Sequence, residues 1–210
     1  MKKLVIIGAG GMGRSLYSYA QESIGYNETF TIKGYLDDNV HALDGFDNYP
    51  TILGTIGDYE IQEDDVFINS LGSIIYKNKT NDIIKSKGGK FQSLIHKTAI
   101  IRNNVNIGAG CLVGQFASIG ADTVIGEHCL IQAYSVVGHD CHIGNNVRID
   151  THAVCIGGVT IEDNAIVHTG AIINHNIVVE NGAHVAAGSF VIKRVKAGTT
   201  VYGNPAKLLK

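Results

Sequence analysis

Tryptophan is absent from these 210 residues, and proline occurs only at Pro50 and Pro205. No CxxC pair joins any of the four cysteines, Cys111, Cys129, Cys141 and Cys155, which excludes a zinc-ribbon or dithiol redox motif. Lacking that, they read as small buried hydrophobes and are expected to be free thiols. No basic stripe accompanies the formal net charge of -2, which argues against nucleic acid as a partner. No apolar run approaches the length of a membrane span; Leu4 to Ile7 is typical. The N-terminus lacks the apolar core of a signal peptide, because Gly8 and Arg14 interrupt it early, so a cytoplasmic location is expected. With 45% hydrophobic and 17% charged residues, the chain is not of the disordered class either.

What the chain does have is glycine, 26 of them, and a repeat. From Ile95 an aliphatic residue returns every six positions: Ile101, Ile107, Val113 and so on to Val191, seventeen hexads without an insertion, broken in type only by Cys155. Four residues later a second register holds small or β-branched residues, Ala99, Val105, Cys111, Ala117 and onward. A period of six fits neither a helix nor a single strand. It fits a short strand and a tight corner, three of which close a triangular coil with stacked aliphatic residues inside. Glycines directly after the aliphatic position, such as Gly108, Gly120 and Gly138, are expected to serve the corners.

This repeat resembles that of the left-handed parallel β-helix acyltransferases. The resemblance, not the periodicity, implies the left-handed sense, a homotrimer, and acetyl-CoA as co-substrate in the groove between neighbouring helices. The terminal Gly203-Asn204-Pro205-Ala206-Lys207 is similar to a segment with which such proteins end, near the nucleotide end of coenzyme A.

Ahead of the repeat, Lys2 to Ile7 reads as a strand, Gly8-Ala9-Gly10-Gly11-Met12-Gly13 as a glycine turn, and Arg14 to Glu22 as a helix. Gly8, Gly10 and Gly13 match G-x-G-x-x-G, a weak signal when alone, in which glycine lets phosphate approach the backbone. Phe30 to Leu36 reads as a second strand, and Asp37 and Asp38 follow where a carboxylate could meet a ribose. Asp65 to Ser70 reads as a strand and Asn78 to Ser86 as a helix. The region is half a dinucleotide-binding fold, enough for a mononucleotide, and a plain tight turn is its other reading. The expected architecture is an α/β half-Rossmann domain over residues 1-92 and an all-β left-handed parallel β-helix over 93-210.

Together the two parts resemble the sialic acid O-acetyltransferases and the N-acetyltransferases of nucleotide-linked 4-amino sugars. The resemblance rests on Ile6-Ile7-Gly8-Ala9-Gly10-Gly11, Gly34-Tyr35-Leu36-Asp37-Asp38 and Leu94-Ile95-His96-Lys97-Thr98-Ala99. It implies that Gly8, Gly10, Asp37 and Asp38 face a sugar nucleotide, and that the product belongs to surface-glycan synthesis.

Acyl transfer from a thioester to an amine needs a base, an oxyanion donor and two substrates held together. Stepping by 18 residues moves one coil along one edge, so His139, Gly157 and His175 form a column with a spacing of ~4.8 Å per coil. By the resemblance, His139 in Val137-Gly138-His139-Asp140-Cys141 is the base, Asp140 its carboxylate, and Gly157 the backbone donor to the thioester carbonyl. His175 either lines the pantetheine groove or faces solvent. Where relatives carry a second histidine near the substrate, this chain has Arg148, which suggests a carboxylate- or phosphate-bearing acceptor. The remaining histidines, His96 and His128 among them, are expected at the surface.

N-acetylation is favoured over O-acetylation because of the nucleotide-type N-terminal half. A γ-class carbonic anhydrase would need a third histidine where Glu180 stands, so no metal is expected. A non-enzymatic nucleotide-binding scaffold is the remaining alternative; the His139-Asp140 pair argues against it.

Overall fold

In the first strand, Leu4 to Ile7 keep no exposed surface, as expected of a central parallel strand covered on both sides. The computed structural model describes residues 1–209, so Lys210 lies outside the described residues. It separates into two units, Met1–Leu94 and Ile95–Lys210.

The first unit runs β1 (Lys2–Ile7), α1 (Gly11–Gln21), β2 (Phe30–Leu36), β3 (Ile52–Gly54), β4 (Asp65–Asn69), α2 (Ile74–Ser86) and β5 (Lys90–Phe91). The five strands form one sheet in the order β3-β2-β1-β4-β5, all parallel. That is one mononucleotide half of a doubly wound fold, with strand order reversing between β1 and β4. The short β3 and β5 have no counterpart among the strands expected from sequence, because three residues and two residues carry no readable alternation. Both helices begin earlier than expected, α1 at Gly11 and α2 at Ile74.

An ion pair braces this sheet away from the glycine turn. Asp65, its side chain wholly buried, accepts from Lys33 Nζ at 2.7 Å, from Tyr59 Oη at 2.7 Å and from the Gln62 N–H at 2.9 Å. Burial pushes the carboxyl up, but these donors outweigh it and hold Asp65 below the ordinary carboxylate range. A depressed native pKa stabilises the fold above the unfolded-state value of about 3.9 and loses that contribution as pH falls through the native value. Asp65→Asn is therefore expected to cost about 3 kcal/mol near neutrality, the modest end for a broken buried pair, because Lys33 keeps contact with water. Thermal melts across the acid range should then be less steep in pH than those of the unaltered protein.

In the second unit every expected aliphatic residue from Ile95 to Val191 is the second residue of a two-residue strand. The strands fall on three faces. The first holds Ile100–Ile101, Ser118–Ile119, Val136–Val137, Val154–Cys155, Ile172–Ile173 and Phe190–Val191. The second runs from Asn106–Ile107 to Val178–Val179, and the third from Leu94–Ile95 through Arg148–Ile149 to Lys207–Leu208. Strands pair in parallel with those 18 residues on, as Val137 does with Cys155, until the last coil, where His184 pairs with Thr200; Lys207–Leu208 runs antiparallel. The chain thus forms a parallel β-solenoid with Ile, Val and small residues inside. All four cysteines are buried, and none forms a disulfide.

The glycines after the aliphatic positions do not make the corners. The left-handed residues come two positions later, at Asn104, Phe116, Asp122, Tyr134, Asp140, His152 and their equivalents. The glycines answer to close packing instead: a Cβ on Gly120 would lie 2.4 Å from the His139 nitrogen in the next coil. Along the edge between third and first faces, the 18-residue register stacks Phe116 on Tyr134 and Tyr134 on His152, with centroids 5.0 and 5.1 Å apart. That edge continues as Gly170 and Gly188, where a Cβ would meet nothing within 4 Å. His96 and His128 are buried, contrary to expectation; His128 fills a left-handed corner and His96 Nδ1 lies 2.8 Å from Thr98 Oγ1.

Candidate functional site

The edge between first and second faces is assembled from Gly138 to Cys141. Gly138 ends the strand flush with the next coil; a Cβ there would lie 2.6 Å from the Gly157 nitrogen. The backbone of His139 is then fixed by its neighbours: the Gly158 N–H donates to the His139 carbonyl at 2.9 Å, and the Asp140 N–H to Ala121 at 3.0 Å. Asp140 takes the left-handed corner at φ 56, which turns its carboxylate back so that Oδ2 lies 2.5 Å from His139 Nδ1. Cys141 points inward, and burial raises its thiol pKa, which keeps it a neutral packing residue.

With Nδ1 committed to the carboxylate, Nε2 is the free ring nitrogen, poised to accept a proton. The imidazole lies against Gly157: a Cβ on that residue would be 2.6 Å from both Cε1 and Nε2. The Gly157 carbonyl accepts from Asn176, but among the described residues no group accepts the Gly157 N–H. A proton acceptor and an unused backbone donor therefore stand one coil apart. His175 stands one coil further along the same edge and is exposed. The pair is also exposed, with about two thirds of each side chain open to water, so a single convex edge does not enclose a ligand.

Arg148 is not at this edge. It lies on the third face, opposite the corner that carries His139. Its Nη2 donates to Asp150 Oδ2 at 3.0 Å, so the guanidinium already has a carboxylate, and the expectation that it seeks an anionic acceptor loses its charge argument. Gly203, Asn204 and Pro205 lie beyond the glycine edge: the Phe190 N–H donates to Gly203 at 3.0 Å and the Ala206 N–H to Phe190 at 2.8 Å. Beside them is a cavity of about 430 Å³ with a mostly apolar lining that includes Val195, Val201 and Ala206, together with Lys193, Lys196 and Lys207.

In the first unit the glycine turn follows β1 at the point where strand order reverses. Two of its glycines are explained by the fold. A Cβ on Gly13 would lie 2.0 Å from the Gly8 carbonyl oxygen, and Gly8, at φ 93, abuts Ser70. Gly10 is not: its backbone is extended and a Cβ would meet nothing within 4 Å. No side chain caps α1. Asp37 braces the turn, accepting from the Ala9 N–H at 2.8 Å and the Asn39 N–H at 2.9 Å, and Asp38 accepts from Ile56 at 3.1 Å. Both carboxylates thus hold loops, with lone pairs to spare. Arg14, missed from the sequence, places its guanidinium 3.6 Å above the Phe46 ring beside this turn.

Also missed was the column Gln132, Asp150, His168 on the third face, which the same 18-residue step would have found. Among the described residues no three His, Cys, Asp or Glu side chains gather as a metal site, and no helix is long and apolar enough to cross a membrane.

Residues 3–83 match the PglD N-terminal domain family and residues 122–157 the bacterial transferase hexapeptide (six repeats) family. No curated protein sequence matches the chain. Among solved structures, the acetyltransferase domain of PglB from Neisseria gonorrhoeae is 27% identical over 100% of both chains with a TM-score of 0.89, and is also known in complex with acetyl coenzyme A. WeeI from Acinetobacter baumannii is 27% identical over 100% of both chains, TM-score 0.87. PerB from Caulobacter crescentus, in complex with CoA and GDP-perosamine, shares the fold at 22% identity over 100% of this chain and 98% of its own, TM-score 0.89.

Proposed function

We propose, from the premise that this chain is a hexapeptide-repeat acetyltransferase with a PglD-type N-terminal domain, that it moves an acetyl group from acetyl-CoA to the amino group of a nucleotide-linked amino sugar. The acceptor favoured is a 4-amino-6-deoxy sugar. The observation that carries the reading is the imidazole of His139 resting on Gly157, whose N–H has no acceptor among the described residues.

In this reading the sugar amine attacks the thioester carbonyl while His139 Nε2 removes a proton from the nitrogen. Asp140 holds the Nδ1–H and stabilises the imidazolium. The Gly157 N–H donates to the oxyanion of the tetrahedral intermediate. Collapse expels the coenzyme thiolate, which takes the proton from His139, leaving amide and free thiol. The glycine edge from Gly170 through Gly188 to Gly203, ending beside the Lys193, Lys196 and Lys207 cavity, suits an extended coenzyme with phosphates at one end. Gly10 and the uncapped α1 suit the phosphates of the sugar nucleotide.

His139 and the glycine edge lie on different corners of one solenoid, so a coenzyme reaching both must lie between two copies. This supports a homotrimer in which each site borrows an edge from its neighbour.

The test is an assay of thiol release from acetyl-CoA with a panel of UDP-, dTDP- and GDP-linked 4-amino-6-deoxy sugars. Turnover with one member and none with free sialic acid is expected. Activity on sialic acid alone would overturn the acceptor assigned here, and silence with both would overturn the transferase reading.

A further inference from the structure

The third face carries a charge cluster that the acetyl-transfer steps do not use. Asp150 is nearly buried, its side chain 9% exposed, and it accepts hydrogen bonds from two side chains, with a third polar group close by. Gln132 Nε2 donates to Oδ1 at 2.6 Å, Arg148 Nη2 donates to Oδ2 at 3.0 Å, and His168 Nδ1 lies 3.3 Å from Oδ2. Arg148 Nε is 2.9 Å from Oδ1 but out of line for a hydrogen bond. Arg148 Nη2 also lies 3.4 Å from His168 Nδ1, and the His168 ring packs 5.8 Å from that of His184. Burial first, then His168 and Arg148, push His184 down, so it adds no charge near neutral pH.

Two consequences follow for Arg148. Its charge is cancelled locally by Asp150, so the cluster does not call for a second anion. Its orientation is fixed, because Nη2 is held both by Asp150, whose carboxylate Gln132 holds in turn, and by His168 Nδ1. Nη1, like the buried Nε, has no hydrogen-bond partner among the described residues, and Nη1 is at the open end of the group. A guanidinium with compensated charge and one free N–H edge is suited to a neutral carbonyl oxygen. The cluster sits where the third face meets the edge of His152, Gly170 and Gly188, the edge to which the coenzyme is assigned above.

We propose that Asp150 is a positioning residue, which locks the Arg148 guanidinium so that Nη1 donates to an amide or thioester carbonyl of the pantetheine arm of coenzyme A. The inference rests on the acetyl-CoA reading of the site. Gln132 fixes the carboxylate, and Arg148 alone touches the ligand.

The experiment is calorimetric titration of the full-length protein with coenzyme A, which needs no knowledge of the acceptor sugar. Arg148→Ala and Asp150→Asn should each weaken binding roughly tenfold, and the double variant no further, because both remove one interaction. Arg148→Lys should not rescue binding, since an ammonium held by Asp150 has no second nitrogen to offer the ligand. A purely structural Asp150 would lower the melting temperature while leaving the dissociation constant of the folded protein unchanged, and that result overturns the proposal. So does additivity in the double variant, or unaltered binding by Arg148→Ala. Should Asp150→Asn fail to fold, Gln132→Ala decides: it removes one donor from the carboxylate, and roughly threefold weaker binding is expected against none. If the unaltered protein binds no coenzyme A, the acetyl-CoA reading itself falls, and this proposal with it.

Discussion

Replacing His139 with alanine is expected to lower turnover about 1,000-fold, the middle of the range for a lost general base, while the solenoid keeps its melting temperature. The side chain is exposed and its one polar partner is Asp140, so no core contact is lost. The backbone bonds from Gly158 and to Ala121 involve main-chain atoms and survive the change. The measurement is kcat on the acceptor found by thiol release, with circular dichroism and a melt alongside. A variant that retains most of its turnover would remove His139 from the chemistry, and one that loses its fold would show that the edge is structural after all. The residual rate should reflect the binding of two substrates and the Gly157 donor, which the substitution leaves in place.

Gly157→Ala is the second large effect, and it separates position from identity. Gly157 has no left-handed torsion to protect, so alanine is acceptable to the backbone. Its methyl group, however, would stand 2.6 Å from Cε1 and Nε2 of His139. The ring is exposed and free to swing outward, so stability should change by less than about 1 kcal/mol. The proposed base would then stand roughly an ångström or more from its place, and misplacement of that size costs about 100-fold in turnover. The discriminating result is kcat against the melting temperature. A variant with unaltered kcat would mean that the ring works from another position than the one it occupies over Gly157.

The solenoid was legible because its repeat is a one-dimensional signal. Each of the aliphatic positions from Ile95 to Val191 needs only the local chain to be assigned, and the three faces follow from counting. The reason for the glycines was not legible. Gly120 and Gly138 read as corner residues because glycine commonly marks a turn, whereas their constraint is the backbone of a coil 18 residues away. The corners instead take Asn, Asp, His and even Phe116 and Tyr134 at positive φ, which propensity alone would not select. At the candidate site, the column of His139 and Gly157 followed from the period, and the turning back of Asp140 onto Nδ1 did not, because it depends on a corner torsion. The pairing of Arg148 was not legible, because its partner, Asp150, sits two residues along and looks like an ordinary surface acid. In the first unit Asp37 was legible as a residue close to the glycine turn, but not as one that braces it.

The stacking of equivalent coils gives the second unit a translational symmetry along its axis. Ala121-Asp122 stands one coil before His139-Asp140, and Asp122 has nearly the same corner torsion as Asp140, 58° against 56°. A histidine at 121 and a glycine at 139 would therefore write the same trio of imidazole, carboxylate and bare backbone one rung earlier. Under the proposed function, the reacting point is a mark on a ruler graduated in steps of ~4.8 Å, and the tail at Gly203 to Pro205 is the end from which it is read. The length of donor that such a molecule accommodates is then a whole number of rungs, altered by moving two side chains and no backbone.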